Sequence, residues 1–376
     1  MHKPQHFIHF FANRELSEIY ITMAIRAFAL SLTILYIPIY LLELGYSLNS
    51  VFSFYLYFSI IGVLFFPIST RVSSRFGFKH TILLSTPFLI AFFVLLNHLN
   101  NEHVNFILLS FFLAASSSLF WIAFHSDFAK VSNPKKRGSQ VSKLQAITLI
   151  FTILGPIAGA FVLMYLSYQA LFIAACILVV LSVIPLFFSS EIHEPYQFKF
   201  KTFFDKKNWL NATVFFGEGI RDFAAKVLWP IFIFLTLKSY ITLGSISSVT
   251  NLIIALMTLW VGNMSDRLNK TSLITVGSLF HSVTLFIRGF FESVVNIFTV
   301  TSFGAISFAL MNVPYFATFY NKANKNGVVE FILLREVFLR IGYIFILTIM
   351  IIFNGNIVLG LVLGGVGSIA YRFLRE

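Results

Sequence analysis

Four charged side chains lie close together within one apolar segment, residues 209–237. Glu218, Arg221, Asp222 and Lys226 would occupy an arc of roughly 140° on an α-helix, which turns by about 100° per residue. Glu218 can reach Arg221 and Asp222, and Asp222 can reach Lys226, at i+3 and i+4 spacing. Two acids and two bases nearly cancel in charge, which lowers the cost of burying them. Such a group binds a polar molecule or exchanges protons, and the alternative is a structural network of ion pairs.

Further charged side chains occur inside other apolar segments. Arg26 is the lone deep charge of the first segment, and Glu336 and Arg340 form an i, i+4 pair in a late one. If these segments cross a bilayer, each deep charge costs at least about 2.5–3.5 kcal/mol and is by default a candidate for function. His125 and Asp127 end the fourth segment, and histidine titrates near neutral pH. A His125 ring that faces water or lipid headgroups is the alternative interpretation.

The composition requires a lipid-facing surface. The chain of 376 residues is 58% hydrophobic and 11% charged, whereas soluble domains carry about 25% charged residues. A soluble protein would need a polar surface that this sequence cannot supply. The single cysteine, Cys176, excludes an intrachain disulfide, and no metal-ligand spacing is present, so we expect no metal and no cofactor.

Apolar runs long enough to cross a bilayer, which takes roughly 20 residues, occur twelve times and predict an all-α membrane protein. The runs are 17–42, 49–70, 79–98, 104–128, 141–166, 168–189, 209–237, 242–264, 271–290, 294–320, 328–353 and 355–373.

The positions of basic residues predict the orientation. With the N-terminus in the cytoplasm, 20 of the 27 Lys and Arg residues fall in cytoplasmic segments, and only Lys238 and Arg288 fall in external ones. This bias follows the positive-inside rule. It predicts a multi-pass protein of the plasma (inner) membrane with both termini in the cytoplasm. The basic surplus is then a topology signal, and no nucleic-acid partner is expected.

An internal repeat divides the chain into two halves. Pro38 stands 36 residues before Ser74, and Pro230 stands 36 residues before Asp266, so both pairs are related by an offset of 192 residues. We predict a six-helix bundle over 1–189, a linker over 190–208 and a second six-helix bundle over 209–376. The Phe and Lys residues of the linker suit a segment at the inner lipid surface.

The loop from Gly262 to Lys270, Gly-Asn-Met-Ser-Asp-Arg-Leu-Asn-Lys, resembles the G-x-x-x-D-R-x-x-[KR] loop of the major facilitator superfamily. In that family the loop helps to latch a closed state. The first-half copy has Thr70 and Ser74 in place of the Gly and the Asp. Ordinary basic inner loops are the alternative interpretation. The expected gating residues are Arg71, Arg75, Gly77, Gly262, Asp266 and Arg267.

A second motif lies in the fifth span. Gly155-Pro156-Ile157-Ala158-Gly159 resembles the core of the G-P-x-x-G motif of proton-coupled antiporters in the same superfamily. Small residues beside a proline also permit tight helix packing and a local bend. Both the antiport interpretation and the packing interpretation of Gly155, Pro156 and Gly159 stay open.

The resemblance implies twelve transmembrane helices in two pseudo-symmetric six-helix bundles, with helices 1, 4, 7 and 10 around a central cavity. The repeat offset places Arg26 opposite Glu218, so we expect both to face this cavity. The residues expected to bind substrate or couple protons are Arg26, Glu218, Arg221, Asp222, Lys226, Glu336, Arg340, His125 and Asp127.

The expected function is secondary transport of a small polar or charged solute by alternating access. Buried acids favour proton coupling, and the fifth-span motif slightly favours export. No nucleotide-binding loop is present, so an ion or solute gradient would supply the energy. We expect a monomer whose partners are the solute, protons and membrane lipids, and we expect no catalytic residues. The alternatives are a membrane-embedded enzyme, or a receptor or scaffold on the same fold.

Overall fold

The computed structural model describes residues 14–99, 105–133, 137–188, 190–192, 208–265 and 268–374. Asp266, Arg267 and most of the predicted linker lie outside the described residues. The helices are α1 (Arg14–Thr33), α2 (Ile37–Glu43), α3 (Leu48–Phe76), α4 (Phe78–His98), α5 (Phe106–Val131), α6 (Arg137–Tyr165), α7 (Tyr168–Val183), α8 (Trp209–Phe223), α9 (Trp229–Leu237), α10 (Tyr240–Ser265), α11 (Lys270–Arg288), α12 (Val294–Asn326), α13 (Val328–Ile352) and α14 (Ile357–Ile369).

Within the described ranges these helices form twelve spans, because α1 and α2 together make the first and α8 and α9 together make the seventh. The predicted all-α membrane fold is confirmed. Nine described spans are long and apolar enough to cross a membrane by composition alone. The seventh and eleventh carry buried charges, and the last is short. We call the face where α1 begins the inner face and the face where α2 ends the outer face.

The first span of each half is interrupted at the same place in the repeat. Residues 34–36 form a turn between α1 and α2, and a π-helical turn at Ala224–Leu228 separates α8 from α9. The helices that follow begin with Ile37-Pro38 and Trp229-Pro230, related by the same offset of 192 residues. Proline cannot donate to the preceding turn and its ring crowds that turn, which explains why both helices break here.

Two pairs of helices make the most extensive contacts between the halves: α3 packs on α13, and α6 packs on α10. Gly155 and Gly159 of α6 pack directly on the first span. A Cβ at Gly155 would collide with Ser31, and one at Gly159 would collide with Tyr36 and with the carbonyl of Leu32. The glycines of the fifth-span motif are therefore required for close approach of the helices.

Pro156 lies at the centre of the same contact. The hydroxyl of Tyr36 donates a hydrogen bond to the carbonyl of Pro156. Gly244 of α10 lies so close that a Cβ there would meet this carbonyl and the Tyr36 hydroxyl. The motif thus joins α6 to the first span and to the opposite half. Its role in antiport stays a prediction.

The turn between α3 and α4 is built on Gly77, whose φ of +88° is a conformation that favours glycine. Glu191, which follows the sixth span, accepts hydrogen bonds from the backbone N–H groups of Lys79 and His80, each at 2.9 Å. A carboxylate at the start of α4 also meets the positive end of the helix dipole. Glu191 thus takes the place of an acidic residue within the first-half loop, where the sequence has Ser74.

The other predicted gating residues lie at helix ends on the inner face. Arg71 and Arg75 are exposed near the end of α3, and the guanidinium carbon of Arg75 lies 5.5 Å from the centre of the Phe76 ring. Gly262 lies in the last turn of α10. Their role in gating stays a prediction.

Replacing Gly155 by Val should lower the thermal unfolding midpoint in detergent, because the new side chain overlaps Ser31. Overpacking of this kind costs about 1–3 kcal/mol or more. Leu154→Val is the matched control, since the neighbouring Leu154 is exposed on the outside of the bundle and should leave the midpoint unchanged. Equal midpoints for the two variants would contradict the tight packing of α6 on α1.

Candidate functional site

The buried guanidinium of Arg335 on α13 holds two carboxylates. Its Nη2 and Nε donate to the two oxygens of Glu218 on α8, at 2.6 and 3.1 Å, and its Nη1 donates to Glu336 Oε1 at 2.5 Å. The planar guanidinium can donate two hydrogen bonds to one carboxylate, which is the bidentate geometry that Arg335 and Glu218 form. The hydroxyl of Tyr315 on α12 donates to Glu218 Oε2 at 2.5 Å. We call Glu218, Tyr315, Arg335 and Glu336 the Arg335 cluster.

His125 on α5 links the Arg335 cluster to the first half. Its Nε2 lies 3.5 Å from Arg335 Nη1 and 3.9 Å from Glu336 Oε1. Its Nδ1 lies 2.7 Å from the Tyr320 hydroxyl on α12. The ring also stacks on Trp121, with centroids 5.2 Å apart. The buried His125 therefore faces protein, and the interpretation of it as a ring facing water or headgroups is wrong.

Small residues allow α8 to approach α13 closely enough for these contacts. A Cβ at Gly219 would collide with the carbonyl of Leu339, and one at Gly342 would collide with the carbonyl of Phe216. The two backbones are therefore nearly in contact beside Glu218. Because the helices are this close, the Glu218 carboxylate lies within hydrogen-bond reach of Arg335 on the neighbouring helix.

A second group of charges, which we call the Asp222 cluster, lies further along the seventh span. Arg221 Nη1 and Lys226 Nζ donate to the two oxygens of Asp222, at 2.7 and 2.6 Å. Arg221 Nη2 donates to the hydroxyl of Tyr371 after α14. The guanidinium of Arg221 also lies 5.0 Å from the centre of the Phe308 ring.

Two of the ion pairs expected from helical spacing are replaced by contacts between helices. Glu218 binds Arg335 of α13 and not its neighbours on α8, because Arg335 forms a bidentate pair with the carboxylate. Arg340 does not pair with Glu336. Its Nη2 donates to Ser117 Oγ at 2.8 Å, and its guanidinium lies 3.9 Å from the centre of the Phe58 ring in the first half. Of the predicted pairs, the one between Asp222 and Lys226 is confirmed.

Arg26 does not contact Glu218, although the repeat places the two at equivalent positions. Its guanidinium lies 3.9 Å from the centre of the Phe120 ring on α5. Arg335 and Tyr315 bind both oxygens of Glu218 instead. Within the part of the chain that the structure describes, Arg26 Nε and Nη1 have no hydrogen-bond partner. Its role in binding or coupling stays a prediction.

Asp127 lies in the last turn of α5 and is fully buried. Neither carboxylate oxygen has a hydrogen-bond partner among the described residues. Asp127 is therefore separate from both clusters, although it lies only two residues from His125. Among the described residues, no group of three or more His, Cys, Asp and Glu side chains could hold a metal ion.

A cavity of about 520 Å³ lies between the halves. Residues of α1 and α6 form the wall on the side of the first half, and residues of the seventh to tenth spans form the opposite wall. Its charged lining consists of Arg221, Lys226 and Arg288. Of the described residues, Arg26 and Glu218 are not part of this lining, and the expectation that both face a central cavity stays a prediction.

Arg288 is a residue whose burial the sequence did not indicate. It was expected in an external segment, but it ends α11 with 4% of its surface exposed. Its guanidinium lies 5.1 Å from the centre of the Trp229 ring, and the absence of a side chain at Gly304 makes room for it. Counting the Lys and Arg residues of loops assigns every charge at the end of an apolar run to a loop. The sequence therefore contained no signal that Arg288 is buried.

Arg335 is likewise absent from the residues that the sequence predicted for binding or coupling. The acidic residues at its own helix, Glu330 and Glu336, gave no indication of the partner on α8. His281 is a further lining residue that the sequence did not indicate. Its Nδ1 donates to the carbonyl of Gly304 at 3.1 Å, beside Arg288.

Twelve spans in two similar halves, with a cavity and buried charges between them, define a multi-pass membrane transporter. A family model described as the Major Facilitator Superfamily matches residues 19–346. The chain belongs to this superfamily of secondary transporters. No curated protein matches the chain.

Replacing Arg335 by Met should strongly destabilise the protein, because it leaves Glu218 and Glu336 buried without their cation. Breaking a buried ion pair in this way costs about 3–5 kcal/mol. The thermal unfolding midpoint in detergent should fall, and adding Glu218→Gln and Glu336→Gln should restore part of the loss. Arg372→Met is the control, because Arg372 is exposed. An unchanged midpoint for Arg335→Met would show that the cluster does not stabilise the fold.

Proposed function

We propose that this transporter moves a small polar or charged solute by alternating access through the cavity between its halves. The observation that carries the proposal is the position of the cavity, between the two six-helix halves and lined by charged side chains of the seventh and ninth spans. In a bilayer such charges are retained where they meet a solute or water. The cavity volume of about 520 Å³ suits one small molecule.

Contacts between the halves occur toward both faces. Toward the inner face, Tyr320 contacts His125, and Asn324 Nδ2 donates to the carbonyl of Ala129 at 3.4 Å. Toward the outer face, Tyr240 of α10 donates to Glu43 and packs against Tyr36, with ring centroids 6.2 Å apart.

Each of these contacts is a hydrogen bond or a ring contact that can break and form again. Alternating access requires such contacts to open in turn around a fixed site. Their presence on both sides of the cavity supports this mechanism.

Proton coupling is supported by the buried carboxylates. Protonation of Glu218 or Glu336 would weaken their ion pairs with Arg335, and with them one of the two hydrogen-bond contacts of His125 with the second half, the other being Tyr320. Protonation of Asp222 would release Lys226, whose side chain faces the cavity. Each event changes the charge at a point where the halves meet or where a solute would bind. Export remains the proposed direction because of the fifth-span motif.

Transport into proteoliposomes tests this proposal. The purified chain should accumulate at least one solute from a panel of acids, amines, amino acids and sugars when a pH gradient is imposed. Glu218→Gln and Asp222→Asn should abolish accumulation driven by the gradient and leave solute exchange without a gradient. Glu330→Gln is the matched control, an acid at the inner end of α13. Solute accumulation that does not depend on the pH gradient would disprove proton coupling. A ligand that binds the protein but does not cross the membrane would favour a receptor function.

A further inference from the structure

We propose that the cavity binds an organic anion, with its anionic group held by Arg221 and Arg288 and an apolar body against the first half. This inference rests on the proposed function, because it names the solute class for the same cavity. It is carried by three observations: the charge balance of the lining, the unpartnered donors and the separation of charged and apolar walls.

The charge balance of the cavity is positive. Arg221, Lys226 and Arg288 line it, and Asp222 is the carboxylate that pairs with two of these three. This leaves a formal surplus of two positive charges. The neighbouring Arg335 cluster has two carboxylates for one guanidinium, but Glu218 binds Arg335 and Tyr315, and Glu336 binds Arg335. Neither carboxylate forms an ion pair with a lining residue among the described residues.

Arg288 supplies the strongest part of the surplus. It is 4% exposed and lines the cavity, and its Nε has no hydrogen-bond partner among the described residues. It lies over the Trp229 ring, and Gly304 leaves the space for its guanidinium. A ring face offsets only part of the desolvation of a buried guanidinium. An anionic ligand group beside the guanidinium would supply the missing counter-charge.

Arg221 adds a second buried guanidinium at the same cavity. Its Nη1 and Nη2 are engaged by Asp222 and Tyr371, but its Nε has no hydrogen-bond partner among the described residues. Buried donors without acceptors are rare in native proteins. Arginine donors in a water-poor cavity match a carboxylate, because its two oxygens accept from such donors.

The wall opposite these charges is mostly apolar, with Ser31, Thr148 and Thr152 as its polar residues. On the first half the lining includes Ala27, Leu30, Leu149 and Pro156, and this side contributes no charged lining residue within the described part of the chain. A solute with a charge at one end and an apolar body would therefore lie across the interface. Its charged end would face the second half, and its body would replace water at the first half.

Three probes of nearly equal shape separate the charge classes: benzoate, benzamide and benzamidine. Their binding to the full-length protein in detergent is measured by calorimetry and by quenching of tryptophan fluorescence, since Trp229 lines the cavity. Benzoate should bind at millimolar concentration or better, and at least about tenfold more tightly than benzamide. Acetate, which lacks the apolar body, should bind more weakly than benzoate. Equal binding of the three probes, preference for benzamidine, or no binding of benzoate would overturn the inference.

Two variants locate the anion site. Arg288→Gln should weaken benzoate binding by about tenfold or more, because it removes the charged donor. Gly304→Ala keeps every charge and should also weaken benzoate binding, because the new methyl group displaces the Arg288 guanidinium. Neither change should alter benzamide binding as strongly. Arg372→Gln, at an exposed position outside the cavity, should leave all affinities unchanged.

The outcome separates this inference from the proposed function. Benzoate binding that depends on Arg288, with no solute moved in proteoliposomes, would contradict transport and leave the anion site in place. Transport of an amine or a sugar by a protein that does not bind benzoate would contradict the anion site and leave transport in place. Loss of benzoate binding in Gly304→Ala, with an unchanged unfolding midpoint, would exclude misfolding as the cause.

Discussion

The guanidinium of Arg335 is the contact on which the second half of the bundle depends. Its donors engage Glu218 on α8 and Glu336 on its own helix, and Tyr315 on α12 completes the shell of Glu218. Lipid offers no hydrogen bonds, so each of these groups has to find its partner inside the protein. Gly219 of α8 and Gly342 of α13 bring the two helices close together beside Glu218, where these polar groups bind one another. The close packing of α8 on α13 and the pairing of their buried charges therefore depend on each other.

The two charge clusters differ in how completely their hydrogen-bonding capacity is used. In the Arg335 cluster, both oxygens of Glu218 are bound and the cation is shared with Glu336. At the cavity, donors of Arg221 and Arg288 have no partner among the described residues. A saturated network holds a structure, whereas one with spare donors can accept a ligand. This difference separates the Arg335 cluster from the charges that we propose to meet the solute, although all of them looked alike in the sequence.

The architecture was predictable because lipid restricts it to a few solutions. Length and hydrophobicity gave the twelve spans, and the offset between Pro38 and Pro230 located equivalent helix breaks. The partners of the charges were not predictable. Helical spacing proposes only neighbours on one helix, so it found Asp222 with Lys226 and missed Glu218 with Arg335. The burial of Arg288 likewise depends on Gly304 of another helix, which no local pattern in the sequence relates to it.

The ion pairs that Arg and Lys form in the two clusters lie entirely within the second half. The first half contacts this charged core through His125, through Ser117 and through ring faces such as Phe58. Sliding one half against the other would therefore separate no buried cation from its carboxylate. The activation barrier for such a movement would then come from exposing aromatic surface and from exchanging single hydrogen bonds, such as those of Arg340 with Ser117 and of Tyr240 with Glu43. The ion pairs of the second half would stay intact while the first half moves against them.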